Sequence, residues 1–178
     1  IGGVQGELFQ AIAGTSMSSP HVAGLFALLK QVHPDWTAAM AKSALMTTAY
    51  QDVLDNDRSS DAGPFAMGAG HVDPGKVSKK GSSFNPGLTY DAGFLEYLGF
   101  LCGTDEGVVA QTTCDYLAGQ GIPFDASDLN IPSIGVAELP GSQTVTRTVT
   151  STASESVSWK VKVDAPAGYD VAVTPRRI

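Results

Sequence analysis

The sequence is short of cysteine, of positive charge and of long apolar runs, and each shortage removes a class of protein. Only 2 of its 178 residues are cysteine. That is too few for a disulfide framework and, with no histidine near either, too few for a cysteine-based metal site. Lys and Arg number 11 against 18 Asp and Glu, a formal charge of −7 with a pI near 4.7. Binding a phosphate backbone requires a basic face that releases counterions, so nucleic acid is a poor partner. The longest mostly apolar run, Val22 to Leu29, falls far short of the ~20 residues that a membrane-spanning helix needs, which argues against a membrane partner. There is no basic-then-apolar leader either. The chain opens Ile1-Gly2-Gly3-Val4, in the manner of a piece taken from mid-domain. What is present, 43% hydrophobic residues at a mean hydropathy of +0.03, is ordinary for a globular chain able to bury a core.

Composition shifts twice along the chain. Residues 1–50 hold nearly all the helical periodicity, 51–100 are rich in Gly, Asp, Pro and Ser, and from 126 onward β-branched residues alternate with polar ones. Leu8 to Ile12 reads as a short strand ending at Gly14. A helix follows over Ser16 to Val32. Val22, Leu25, Phe26, Leu29 and Val32 fall at helical spacing, and Ala23, Ala27 and Leu28 fill the other faces, which predicts a helix buried nearly all round. His33-Pro34 ends it, because the residue before proline avoids the α region. A second helix is expected from Thr37 to Thr48 under an Asp35 or Thr37 cap. Strand, buried helix and amphipathic helix together predict the tail of an α/β domain.

Downstream, Leu129–Ala137, Gln143–Thr150, Val157–Val163 and Tyr169–Val173 read as strands. In the third, Val157, Trp159, Val161 and Val163 alternate with Ser158, Lys160 and Lys162. Short strands at this spacing predict an antiparallel β-sandwich. A sandwich needs about seven strands over ~100 residues, so 126–178 holds only part of one.

The chemistry is concentrated in Gly14-Thr15-Ser16-Met17-Ser18-Ser19-Pro20-His21-Val22-Ala23-Gly24. Ser16 stands where a glycine turn enters a helix, near the positive end of the helix dipole and beside N–H groups that lack intrahelical partners. A hydroxyl beside unpaired donors is what an acyl-transfer oxyanion site requires. Gly14 permits a backbone approach that a side chain would block. Pro20 cannot donate to the Ser16 carbonyl, which predicts an irregular first turn. The plainer reading of any one serine in this position is a helix cap.

Taken whole, the string resembles the nucleophile motif of the subtilisin-like serine proteases (subtilases), Gly-Thr-Ser-Met-(Ala/Ser)-x-Pro-His-Val-(Ala/Ser)-Gly, at every fixed position from Gly14 to Gly24. His33-Pro34-Asp35-Trp36-Thr37 and Lys42-Ser43-Ala44-Leu45 are similar to that family's two-helix continuation. Phe65 to Pro74, Asn85 to Asp91, Tyr97 to Cys102, Asp128 to Ile134 and Val145 to Val149 resemble the plant-type (cucumisin-like) branch. That branch carries a fibronectin-type-III-like sandwich after its catalytic domain.

The resemblance implies a secreted endopeptidase acting on polypeptides, with Ser16 as nucleophile and its N–H as one oxyanion donor, and with Gly14, Thr15 and Pro20 supporting it. It also implies that the partnering Asp and His lie upstream, since in subtilisin they precede the Ser along the chain. The histidines present do not replace them. His21 lies about 140° round the helix from Ser16, His33 some 25 Å along it, and His71 in a glycine-rich loop whose family counterpart is not the base. Asn56, Asn85 and Asn130 match nothing in the oxyanion role. The expectation is therefore a chain cut at both ends, inactive alone, whose partner is the missing N-terminal part of the catalytic domain. A non-catalytic binding or scaffold module is the alternative.

Cys102 and Cys114 fit a disulfide, which would indicate an oxidising compartment; two unpaired buried thiols are the other reading. Asp52, Asp55, Asp57 and Asp61 make an acidic loop that lacks the glycine and the twelfth-position glutamate of a calcium loop. No metal or cofactor is expected here, although the resemblance leaves room for calcium in a longer enzyme. The expected organisation is a catalytic-domain tail over 1–100, a disulfide-bearing connector over 101–125 and the partial sandwich over 126–178. Its exposed strand edges would favour self-association.

Overall fold

The computed structural model describes residues 5–6, 8–75, 77, 79–104 and 107–178. Its core is a knot made by two helices, α1 (Thr15–Val32) and α2 (Ala38–Thr47), with Phe84 from a later loop. Leu29, Trp36, Ala41, Ala44, Leu45 and Phe84 are buried together, and Leu25, Phe26, Met40 and Val72 pack against them. The link between the helices is rigid for identifiable reasons. His33 caps α1 by donating its N–H to the Leu29 carbonyl, and its ring stacks on Trp36 with centroids 3.9 Å apart. The Lys30 ammonium donates to the carbonyls of Pro34 and Trp36. Thr37, rather than Asp35, caps α2 by accepting the Met40 N–H at 3.0 Å.

A return segment runs over this knot. The buried Ser43 hydroxyl accepts the Tyr90 N–H at 2.9 Å, and Thr37 donates its hydroxyl to the Asp91 carboxylate at 2.6 Å. β1 (Leu88–Thr89) pairs antiparallel with β2 (Thr150–Ser151), Leu88 opposite Ser151 and Thr89 opposite Thr150. Between them the chain forms a hairpin of α4 (Phe94–Gly103) and α5 (Gln111–Gly119), stapled by the disulfide Cys102–Cys114. The pairing is thus a disulfide and not two thiols. A short α3 (Pro64–Met67) lies earlier, in the loop-rich stretch between α2 and β1.

Three sequence expectations change. Leu8 to Ile12 is not a strand: Leu8 and Phe9 are 90% and 88% exposed, and among the described residues nothing pairs with them. A strand exists only by exchanging backbone bonds with a neighbour. α1 is not buried all round either. Leu29 is its one buried residue, while Val22, Leu28 and Val32 are exposed. Only the stretch near Leu29 meets α2 and Phe84; no other layer covers the remaining faces among the described residues.

Nor is a β-sandwich formed over 126–178. Among the described residues, the one sheet is β1–β2. Trp159 exchanges both backbone bonds with Ile178, and Val161 donates to Arg176, but Tyr169–Val173 has no ladder. Alternation marks an apolar face without supplying the layer that covers it; Val157, Tyr169 and Val171 stay exposed.

Polar clamps hold this part instead. The Arg147 guanidinium donates to the carbonyls of Ser127, Ile131 and Ser133. The Asn130 amide donates to the carbonyls of Asp91 and Thr148 and accepts the Thr148 N–H. Trp159 packs against Gly87, where a Cβ would fall 2.8 Å from the indole Cζ2. With φ at +85°, Gly87 resists substitution on both counts.

Gly87→Ala should therefore destabilise the chain by roughly 1–3 kcal/mol, through overpacking added to backbone strain. Trp-fluorescence denaturation reads this, and an unchanged midpoint would contradict the packing. Reduction of Cys102–Cys114 should cost ~2–3 kcal/mol in the same assay, the amount expected for closing so short a loop.

Candidate active site

Ser16 is the second residue of α1 and is exposed. Gly14 is the N-cap at φ 150°, a backbone angle that disfavours a side chain, and it offers no side-chain cap. Its carbonyl accepts the N–H groups of Met17 at 3.0 Å and Ser18 at 3.1 Å, and the Ser18 hydroxyl as well. That leaves the Ser16 N–H without an acceptor among the described residues. The donor faces solvent at the positive end of an 18-residue helix, next to the Ser16 hydroxyl. Contrary to the irregular turn expected at Pro20, α1 runs through it as one helix. The cost falls on the Ser16 carbonyl, which loses the N–H that residue 20 would have supplied. Thr15 opens the helix as its first residue.

Among the described residues no base is brought to this hydroxyl. His21 turns its Nδ1 to the Met17 carbonyl at 2.5 Å. His33 sits at the far end of α1, half-buried, with Nε2 2.8 Å from the Phe84 carbonyl. A carbonyl only accepts, so the proton is on Nε2 and the ring is committed to the core knot. His71 stacks on Tyr50 at 5.0 Å and donates from Nδ1 to the Val72 carbonyl at 3.0 Å. Asn130 is occupied with the backbone carbonyls of Asp91 and Thr148, and among the described residues Asn85 is held in a backbone turn with Ser82. A serine hydroxyl without a base is a weak nucleophile at neutral pH, so these residues supply a positioned oxygen and an oxyanion donor but no proton acceptor.

The acidic loop is organised around Asp57. One Asp57 oxygen accepts the N–H groups of Ser59 and Ser60, each at 2.9 Å, and the other accepts the Ser60 hydroxyl at 2.7 Å. These bonds, that from the Ser60 hydroxyl foremost, hold the Asp57 carboxyl well below the usual carboxylate range. The same device recurs at Asp125, lowered by the Ser127 hydroxyl and N–H. Both carboxylates close local turns.

Sequence reading passed over Ser43 and Arg147 as positioning groups. Ser43 looks like any polar residue in a helix, and its partner lies 47 positions away. Arg147, half-buried and lowered chiefly by desolvation, gives a better hint: a lone cation in a β-branched run has to find acceptors.

Residues 3–85 match the subtilase family, and residues 128–178 match a fibronectin type-III domain. Over 96% of its length the chain is 39% identical to subtilisin-like protease SBT2.5 of Arabidopsis thaliana, across 22% of that protein. It is 40% identical to subtilisin-like protease SBT1.7 of the same plant over 94% of this chain and 23% of that one. To subtilisin-like serine-protease S of Lotus japonicus it is 38% identical, over 96% and 23% respectively. The chain thus spans between a fifth and a quarter of the length of these relatives. None of the described helices is long and apolar enough to cross a membrane.

A lowered folded-state pKa means that the Asp57 turn stabilises the loop above the ordinary carboxylate range and is lost only as pH falls through the lower folded value. Carboxyl-carbon NMR should show Asp57 titrating below the usual carboxylate range, and Ser60→Ala should move its midpoint upward. A midpoint unmoved by Ser60→Ala would contradict this.

Proposed function

We propose that this chain, whose residues 3–85 match the subtilase family, forms the nucleophile-bearing part of a secreted serine endopeptidase. The observation that carries the reading is Ser16 itself: an exposed hydroxyl on the first turn of α1, behind a glycine cap, with its own N–H free to bind an oxyanion. The relatives bear the names of subtilisin-like proteases. The disulfide fits an oxidising, extracellular setting. The organisation that goes with it is a catalytic tail over 1–100, a connector over 101–125 and a fibronectin-type-III-like part of a sandwich over 126–178.

In the whole enzyme, a histidine outside this chain takes the Ser16 proton as Oγ attacks the scissile carbonyl. The Ser16 N–H and a second donor hold the resulting oxyanion. Collapse expels the amine, protonated by the same histidine, and leaves an ester on Ser16 that water then hydrolyses. The substrate is a polypeptide, and no step calls for a metal or cofactor. The present chain alone does not perform the cycle, because in subtilisin loss of the histidine alone costs about as much as loss of the whole triad.

A fluorophosphonate probe tests both statements. The full-length parent should be labelled at Ser16 and lose the label on Ser16→Ala, whereas the 178-residue chain should stay unlabelled. A folded parent with an unreactive Ser16 would favour a non-catalytic binding module. Peptide hydrolysis by the isolated chain would overturn the claim of inactivity.

A further inference from the structure

An oxyanion donor acts best when it is fixed in direction before the charge appears, and the first turn of α1 has few fixings. A helix commonly ties its opening turn with a side chain at the N-cap, which accepts the second or third N–H. Gly14 has no such side chain, and the second N–H of α1 is that of Ser16 itself. The bare cap keeps the donor free and leaves the turn looser. Pro20 loosens it again, having no N–H for the Ser16 carbonyl. Thr15, Ser16, Ser18 and Ser19 are all exposed, so packing does not make up the difference.

The Gly14 carbonyl is the anchor that remains. It accepts the N–H of Met17 at 3.0 Å and that of Ser18 at 3.1 Å, and the Ser18 hydroxyl joins them at 3.3 Å. Among the described residues, Ser18 is the one member of 15–20 whose side chain makes a hydrogen bond. This carbonyl belongs to the peptide unit just before the one that carries the Ser16 N–H. Only the two backbone dihedrals of Thr15 lie between them. Gly14, at φ 150°, is the residue least able to hold its own carbonyl still, so the restraint has to come from the helix side.

We propose that Ser18 is a positioning residue for the oxyanion donor. Its hydroxyl steadies the Gly14 carbonyl, and through it the peptide unit that aims the Ser16 N–H. The proposal rests on the reading of Ser16 as nucleophile. Ser18 itself touches neither substrate nor reacting atoms. Its effect is felt where charge has moved onto the substrate oxygen, so it acts on kcat and leaves KM alone.

The test uses the full-length parent with a peptide substrate, a peptide aldehyde and the matching peptide alcohol. On the aldehyde, Ser16 Oγ bonds to the carbonyl carbon and its proton passes to the upstream histidine. The carbonyl π bond opens, and the oxygen takes up the charge beside the Ser16 N–H. The alcohol places no such oxygen. Ser18→Ala should lower kcat about three- to tenfold at unchanged KM, the factor that one hydrogen bond's net contribution converts to. Aldehyde affinity should fall by the same factor and alcohol affinity should hold. Ser18→Thr, which keeps the hydroxyl, should restore both losses. The subtilase motif takes alanine or serine at this position, so the alanine variant is expected to fold. An unchanged kcat in Ser18→Ala overturns the proposal, as does a loss shared by the alcohol or one that threonine fails to restore. Fluorophosphonate labelling of the unmutated parent separates the two failures. If Ser16 is labelled and Ser18→Ala is indifferent, this proposal alone falls; if a folded parent stays unlabelled, the reading of Ser16 falls and this proposal with it.

Discussion

Everything else in this chain hangs on the burial of Leu29 between α2 and Phe84. Leu29 is 1% exposed, the one fully buried residue of α1, and the residues that enclose it come from three separate stretches: Trp36, Ala44 with Leu45, and Phe84. Burying such a side chain contributes about 1.5–3 kcal/mol. Most helical stability in a folded chain comes from tertiary packing, so α1 is held chiefly by the contacts of Leu29, with its neighbours Leu25 and Phe26. The position matters as much as the energy. Leu29 lies 13 residues beyond Ser16, about 20 Å along the axis, so the site is aimed from a distant pivot. The turn bearing Ser16 has no packing of its own among the described residues.

From the pivot, polar contacts carry the organisation outward. Ser43 has its back to the core and its hydroxyl on the Tyr90 N–H, which fixes the segment that becomes β1. β1 then pairs with β2, and Asn130 ties Asp91 to Thr148 beside that pairing. Ser43 is buried and Tyr90, Asp91 and Asn130 are half-buried, so removing one partner of the Ser43–Tyr90 bond would leave the other unsatisfied, at a cost of about 1–3 kcal/mol. The fibronectin-like part is thereby joined to the helical part by directed bonds more than by apolar area. Its own apolar face, at Val157, Tyr169 and Val171, is left open.

The features that were legible in the sequence are those decided within one turn or one short spacing. The extent of α1, the stop at His33-Pro34 and a cap from Asp35 or Thr37, settled in the structure as Thr37, follow from local backbone chemistry. The Cys102–Cys114 link followed because the two thiols had no other partner. Features that depend on a second surface were not legible. The apolar residues round α1 show that something can cover them, and the alternation from Val157 to Val163 shows a face; neither shows the covering layer. Leu8 to Ile12 has strand chemistry and no strand beside it. At the site, the Gly14–Gly24 string marks the start of α1, where the proposed nucleophile Ser16 stands exposed. The Ser43–Tyr90 and Asn130–Thr148 contacts, with partners many residues away, left no local trace.

The central claim is that α1 is anchored at one end and presents Ser16 from the other, unsupported one. Residue-resolved amide hydrogen exchange along α1 tests it most directly. The account predicts strong protection around Leu29, where the helix meets α2 and Phe84, falling steadily toward little protection at Met17 and Ser18. Uniform protection along the helix, or protection greatest at the Ser16 end, would contradict it.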